Sequence, residues 1–163
     1  MKNIGIKFFD RMFIKNFNIQ EENKTKFIAE EISKICKKGD VLGISGDMGI
    51  GKTTFIKYFI QKISKVKSVP SPSYNILLAY ESKYSTIFHM DAWRLKNHNE
   101  ALSLGITEMF DDAIFLIEWA EKIKEILPNN YLNLIIKNID NEKFLEIKGN
   151  KGWGKRLKDI EKP

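Results

Sequence analysis

The amino-acid sequence predicts a three-layer α/β domain with a largely parallel central sheet and added antiparallel hairpins. One observation is the apolar run "VLGIS", which leads into a glycine-rich loop and then into the helical pattern "TTFIKYFIQKI". A second is that two further apolar runs, "STIFHMD" and "AIFLIEW", carry acidic residues at their carboxyl ends. Strands mixed with helices at this spacing are typical of α/β domains.

Two pairs of segments alternate apolar and polar residues, as the strands of a hairpin do. They are "YNILLAY" with "STIFHMD", and "YLNLIIKNI" with "KFLEIKG", the second pair turning at Asp140 and Asn141.

Helices are predicted between these strands. Asn18 followed by Glu21 is an N-terminal helix signature, and the apolar residues after it recur on one face until residues 37–39. A short helix is expected to stop near Gly105, and "AEKIKEIL" is predicted to be a helix that Pro128 ends.

The length of 163 residues fits one domain, which we place at residues 1–163. Within it, residues 1–18 are interpreted as an N-terminal extension and residues 150–163 as a basic, weakly structured tail. The tail is expected to be solvated, with a contact to RNA or a protein partner as the alternative.

The composition excludes a disulfide-stabilised fold and a zinc site. A single cysteine, Cys36, cannot form an internal disulfide, and two histidines offer no zinc-type ligand set. With no secretory or membrane-spanning pattern, we expect a cytoplasmic protein without membrane contact. The net charge of +6 permits an RNA partner, but we favour a lysine-rich solvated surface because no basic motif interleaved with aromatic residues accompanies the charge.

The loop "GDMGIGKT" carries the clearest chemical signal. Gly46, Gly51, Lys52 and Thr53 satisfy the pattern G-x-x-x-x-G-K-[ST] between a predicted strand and a predicted helix. The glycines let backbone N–H groups face a phosphate, the lysine adds a positive charge, and the threonine hydroxyl can coordinate magnesium. The loop is therefore predicted to bind a nucleoside triphosphate.

Such a loop also needs an acid at the end of a neighbouring strand, to order the metal and its waters. Asp91 and Glu118 both qualify, although each could instead cap a helix or pair with a lysine. The N-K-x-D segment that GTPases use to select guanine does not occur, so ATP is the predicted nucleotide.

Five segments occur in an order that resembles the bacterial TsaE-like ATPases of tRNA threonylcarbamoyladenosine biosynthesis, from about residue 19 to residue 149. They are "GDMGIGKTTF", "SPSY", "FHMDAWRL", "LGITEMFDD" and "LIEW". The resemblance implies a three-layer P-loop NTPase fold. It also implies a magnesium-dependent ATPase whose hydrolysis keeps a two-protein threonylcarbamoyl-transfer complex turning over, with tRNA contacted indirectly or weakly. Hydrolysis by the chain alone is expected to be slow.

The resemblance also implies roles for individual residues. Asp91, Lys52 and Ser73 would be catalytic, and magnesium would be held by Thr53 and Glu118. The nucleotide would contact the loop and two residues outside it, namely Gly49, Ile50, Gly51, Lys52, Thr53, Thr54, Asp91 and Trp119.

The chain departs from the family pattern at several positions. Ser73 stands where the family has a threonine, which keeps the hydroxyl but loses the methyl group that restricts its rotamer. Ile50 replaces a small alanine, and a late glycine-arginine pair has no clear counterpart, so Lys143 is a candidate replacement for that arginine.

Two residues near the motifs have ordinary structural interpretations. His89 is interpreted as a core residue with one satisfied nitrogen, and we leave it outside the catalytic set. Arg94 could reach a phosphate or a partner, or form a salt bridge with Asp91 or another nearby acid. Two rival functions also remain: a small-molecule kinase, which would need an arginine-rich lid, and a nucleotide-sensing interaction module.

Overall fold

The computed structural model describes residues 7–9 and 12–161. The strands are β1 (Lys7–Phe9), β2 (Met12–Asn18), β3 (Val41–Ser45), β4 (Leu77–Glu81), β5 (Thr86–Asp91), β6 (Ile114–Glu118), β7 (Leu132–Ile139) and β8 (Glu142–Asn150). The α-helices are α1 (Glu22–Ile35), α2 (Lys52–Ile63), α3 (His98–Ser103), α4 (Ile106–Met109) and α5 (Lys151–Leu157). Two 3-10 segments span Phe110–Asp112 and Ala120–Ile126.

The strands form one mixed sheet in the order β1-β2-β8-β7-β3-β6-β5-β4. Its centre, β7-β3-β6-β5, is parallel, whereas the pairs β4–β5, β7–β8, β2–β8 and β1–β2 are antiparallel. The predicted parallel centre with antiparallel additions is confirmed. So is the turn of the second hairpin, where Asp140 and Asn141 adopt positive φ values of 52° and 65°, as two-residue hairpin turns require.

Helices cover both faces of the central strands. Leu42 and Ile44 of β3 belong to the core cluster that includes α1, α2 and α5, whereas Val41 belongs to the cluster that includes α3 and α4. Successive strand residues point to opposite faces, so one strand contributes to both clusters. Full burial of a side chain such as Phe55 or Phe59 contributes about 1.5–3 kcal/mol through the hydrophobic effect.

The predicted start of the first helix is wrong. The N-cap of α1 is Glu21, which makes no side-chain capping bond, because Asn18 is the last residue of β2 and pairs with Phe144. The Asn18 side chain accepts a hydrogen bond from Gln20 N instead, at 3.0 Å. Asn18 is thus part of a strand because β2 pairs with β8, although the local sequence pattern predicted it as the helix cap.

The segment "AEKIKEIL" is not an α-helix. Ala120–Ile126 forms 3-10 turns with a kink at Ile123, where φ is −129°. The segment follows β6 directly, and Ala120 and Ile123 are both buried in the core cluster on that side of the sheet. This tertiary packing overrides the helical pattern of the sequence.

The interpretation of residues 1–18 as an extension is wrong for Met12–Asn18. This segment is β2, it pairs along its full length with residues 144–150 of β8, and it buries Phe13 and Phe17 in the core. Residues 1–6, 10 and 11 lie outside the described residues.

The prediction of a weakly structured tail is wrong for residues 151–157, which form α5. Asn150 caps this helix by accepting a hydrogen bond from Trp153 N at 3.0 Å, and Trp153 and Leu157 are buried. Because these two apolar side chains complete the core beside α1 and β2, the segment folds despite its polar composition. Residues 162 and 163 lie outside the described residues.

Within residues 7–9 and 12–161, no helix combines the length and the apolar character needed to cross a membrane.

Candidate functional site

The glycine-rich loop connects β3 to α2 at the carboxyl edge of the parallel strands. Gly46, Gly49 and Gly51 have φ values of 143°, 73° and 121°, which residues with a Cβ rarely adopt. At Gly46 the loop also passes so close to β7 that a Cβ would lie 2.4 Å from the Ile136 carbonyl oxygen. Glycine is therefore required at Gly46 for both its φ and its packing.

Ile50 anchors this loop to the core. Its side chain is 5% exposed and packs in the cluster with α2, and its backbone N–H donates to the Asp47 carbonyl at 3.2 Å. The side chain does not border the cavity that the other loop residues line. Any contact of Ile50 with a nucleotide would therefore come from its backbone and not from its side chain.

Lys52, the first residue of α2, folds back over the loop. Its Nζ donates to the carbonyl oxygens of Gly46 and Asp47 at 2.7 and 2.8 Å and lies 3.8 Å from the centroid of the Trp119 ring. Burial lowers the pKa of this ammonium group, and the nearby Glu118 carboxylate opposes that effect. The lysine charge is thus held beside the loop by neutral oxygens and an aromatic face.

Thr53 and Glu118 meet across the edge of the sheet. The Thr53 hydroxyl lies 2.9 Å from each carboxylate oxygen of Glu118, the last residue of β6. Glu118 is buried, with 4% of its surface exposed. The two residues predicted to hold a metal are therefore in direct contact.

Asp91 ends the neighbouring strand and is the register partner of Glu118. Its Oδ2 accepts a hydrogen bond from the Ser73 hydroxyl at 3.0 Å, and its Oδ1 accepts one from Trp93 N at 2.9 Å. Ser73 comes from the proline-containing loop before β4, so two predicted catalytic residues from different segments meet here.

These groups border one open cavity of about 310 Å³. Its lining includes the predicted residues Gly49, Gly51, Lys52, Thr53, Thr54, Ser73, Asp91, Glu118 and Trp119, together with Met48 and Trp93. The structure therefore brings together every predicted site residue except Ile50.

Trp93 was missed by the sequence reasoning. Its ring lies 4.4 Å, centroid to centroid, from that of Trp119, which follows Glu118 with a φ of 57°. A signal existed, because Asp91 and Glu118 both end predicted strands and each is followed within two residues by a tryptophan. If the strands are neighbours, the two indoles must meet.

His89 is fully buried on β5, as expected of a core histidine. Its Nε2 lies 2.8 Å from Glu118 Oε1, whereas its Nδ1 has no hydrogen-bond partner within residues 7–9 and 12–161. One nitrogen is satisfied, and the partner is the carboxylate of the site.

Arg94 and Lys143 lie outside the cavity lining. The Arg94 guanidinium sits over the exposed ring of Tyr74, 5.0 Å from its centroid, and in the described part of the chain it forms no salt bridge with Asp91. Lys143 Nζ lies 4.0 Å from where a Cβ on Gly51 would be, so the candidate replacement for the family arginine is close to the loop.

The oxygen donors at this edge fit magnesium. Mg²⁺ prefers hard oxygen ligands, commonly one or two from protein and the rest from water and phosphate. The Thr53 hydroxyl and the Glu118 carboxylate supply such donors on one side of the cavity, with Asp91 nearby. Among the described residues no group of three or more His, Cys, Asp or Glu could hold a metal ion, so water and phosphate oxygens would supply the other ligands.

The chain is similar in sequence to proteins of one family. The family model described as "Threonylcarbamoyl adenosine biosynthesis protein TsaE" matches residues 19–147. A protein of Rickettsia bellii named "tRNA threonylcarbamoyladenosine biosynthesis protein TsaE" is 35% identical over 131 residues, covering 78% of this chain and 89% of the relative. The protein of that name in Bacillus subtilis is 38% identical over 115 residues, covering 70% of this chain and 72% of the relative.

A solved structure shares the fold. The crystal structure of Bacillus subtilis YdiB superposes with a TM-score of 0.75 and 29% sequence identity, covering 91% of this chain and 93% of that one.

Proposed function

The chain belongs to the TsaE family of threonylcarbamoyl adenosine biosynthesis proteins, and on that premise we propose that it is a magnesium-dependent P-loop ATPase. Its hydrolysis of ATP would keep a two-protein threonylcarbamoyl-transfer complex turning over, so that the adenosine beside the anticodon of tRNA becomes modified. The proposal places the protein in the cytoplasm and makes its contact with tRNA indirect or weak.

The observation that carries this proposal is the convergence of five polar side chains on one cavity. Lys52 and Thr53 come from α2, Ser73 from a loop, and Asp91 and Glu118 from the ends of adjacent parallel strands. Loop, lysine, hydroxyl and strand-end acid are the parts that phosphoryl transfer on a phosphate-binding loop requires.

Each residue has a distinct task in this proposal. Backbone N–H groups of the loop bind the phosphates together with the Lys52 ammonium, and Thr53 with Glu118 holds the metal. Magnesium, when bound, neutralises charge that develops on the phosphate oxygens. Asp91, fixed by Ser73 and by Trp93 N, orients the attacking water.

Two features support dependence on a partner. No arginine of the described residues lines the cavity, so the cation that often stabilises the transition state would come from another chain. The mouth of the cavity also carries the exposed side chains of Met48 and Trp93, and the exposed Tyr74–Arg94 stack adjoins it. Methionine, aromatic residues and arginine are enriched at protein interfaces.

The biochemical test is ATP hydrolysis with the threonylcarbamoyl-transfer complex added and withheld. We expect slow turnover alone and a clear increase with the complex. ATP-dependent phosphorylation of a small molecule, without stimulation by the complex, would support a kinase and contradict the proposal.

The cellular test is mass spectrometry of tRNA nucleosides after depletion of the protein. We expect threonylcarbamoyladenosine to fall, and to recover with the wild-type chain but not with Asp91→Asn. Normal modification after depletion would contradict the proposed role. Full rescue by a variant that cannot hydrolyse ATP would contradict the coupling to hydrolysis.

A further inference from the structure

His89 makes one polar contact in the described part of the chain, and that contact is with Glu118. The imidazole is 0% exposed, and alternation along β5 places it on the same face of the sheet as Ile87 and Asp91. Its Nδ1 is buried without a hydrogen-bond partner among the described residues. Because an apolar side chain could fill this space without that desolvation cost, packing alone does not explain an imidazole here.

The direction of the hydrogen bond is set by chemistry. A carboxylate that holds a metal only accepts hydrogen bonds, so with Glu118 as the metal ligand of the proposed function His89 Nε2 is the donor to Glu118 Oε1, across 2.8 Å. Hydrogen-bond donors that act on a ligating carboxylate in this way fix the orientation of the ligand.

The two oxygens of Glu118 are therefore not equivalent. Oε1 accepts from both His89 and Thr53, whereas Oε2 has Thr53 as its hydrogen-bond partner in the described residues. The terminal torsion of a glutamate side chain is soft, so a carboxylate held by one hydroxyl alone would rotate. A second donor on Oε1 fixes the plane of the carboxylate.

We propose that His89 is a positioning residue that holds Glu118 Oε1 and so presents Oε2 to the metal. This inference rests on the proposed function, because it assumes that Glu118 is a magnesium ligand. His89 itself touches neither metal nor nucleotide.

The test compares three variants at or beside this position. His89→Leu removes the donor at similar volume, His89→Gln places an amide N–H where Nε2 lies, and Met90→Leu alters the next buried residue of β5 on the opposite face. Binding of a non-hydrolysable ATP analogue is followed by the fluorescence of the cavity tryptophans. Magnesium is titrated in one series and EDTA is present in the other.

We expect His89→Leu to raise the magnesium concentration for half-maximal binding about 10-fold. Its affinity for the analogue in EDTA should stay within about twofold of wild type, because the loop and Lys52 are unchanged. His89→Gln should recover most of the loss, and Met90→Leu should match wild type.

A folded His89→Leu protein with the wild-type magnesium midpoint would overturn the inference, and so would a His89→Gln protein as impaired as His89→Leu. If His89→Leu does not fold, the His89→Gln variant and the ¹⁵N spectrum of the wild-type protein still test the inference. The ¹⁵N spectrum of the wild-type protein, which has two histidines, should show a buried imidazole protonated at Nε2. Protonation at Nδ1 with a bare Nε2 would overturn the inference. Equal affinity of the wild type for the analogue in magnesium and in EDTA would instead overturn the proposed function.

Discussion

Two basic side chains differ in the groups that bind their charge. Lys52 at the phosphate loop is buried, and Arg156 in α5 is half-buried. Arg156 forms two hydrogen bonds with the Asp40 carboxylate, one of them 3.0 Å from Nη1 to Oδ1, and also donates to the Ile35 carbonyl. Lys52 donates to two backbone carbonyls and, within the described residues, forms no salt bridge.

The pKa values of Lys52 and Arg156 shift in opposite directions because of these different partners. Burial acts to lower the pKa of both groups, but for Arg156 the hydrogen bonds and the charge of Asp40 outweigh burial and the pKa is raised. For Lys52 burial prevails and the pKa is lowered. The charge of Arg156 is thus satisfied inside the fold, whereas that of Lys52 remains available to a phosphate.

The largest effect is expected at Lys52. Lys52→Ala should weaken binding of the ATP analogue by about 100-fold or more, because the β- and γ-phosphates lose a charge-assisted hydrogen bond in a buried site. The fold should persist. Lys57→Ala, an exposed lysine of the same helix, is the matched control and should leave affinity unchanged. Isothermal calorimetry measures both, and unchanged affinity in a folded Lys52→Ala protein would refute the assignment of the loop.

Substitutions of the two strand-end acids, Glu118 and Asp91, should have different effects on magnesium dependence and hydrolysis. Glu118→Gln should raise the magnesium midpoint about 30-fold, since the change keeps the size of the side chain and removes the charge that holds the metal. Asp91→Asn should mainly slow hydrolysis. If magnesium titrations show the larger defect for Asp91→Asn, the metal ligand is misassigned.

Arg156→Ala should lower the free energy of unfolding by about 1–2 kcal/mol, which lies below the range for fully buried pairs because Arg156 is part-exposed. The affinity for the ATP analogue should not change. Lys155→Ala, its exposed neighbour, should unfold at the wild-type denaturant midpoint. A loss of nucleotide affinity in Arg156→Ala would show that the two cations are not independent.

The smallest effect is a dependence on alkaline pH. Because the pKa of Lys52 is lowered from 10.5, its ammonium deprotonates before ordinary lysines do, and analogue binding should weaken by roughly 2- to 5-fold as the pH rises toward that value. Lys52→Ala should lose this dependence.

The lowered pKa of Lys52 also makes the stability of the fold increase with pH in the alkaline range. The folded state releases the Lys52 proton at lower pH than the unfolded chain, so the cost of burying the ammonium is relieved as the pH rises through the folded pKa. Urea unfolding across alkaline pH should show a positive contribution to stability in the wild type that is absent from Lys52→Ala.

The sequence by itself determined the local chemistry of this protein. The loop pattern, the acids Asp91 and Glu118 at strand ends, and the hairpin turn at Asp140 and Asn141 are readable because strand and helix periods and turn residues act over a few neighbouring positions.

The tertiary structure alone decided which of these pieces meet. Thr53 and Glu118 are 65 residues apart in sequence, and Asp40 and Arg156 are 116 apart. Strand order makes β5 and β6 neighbours, and this placement joins His89 to Glu118 and Trp93 to Trp119. The same long-range packing recruits Met12–Asn18 into the sheet and folds residues 151–157 as α5, because buried apolar area, which no local pattern records, offsets the entropy of ordering them.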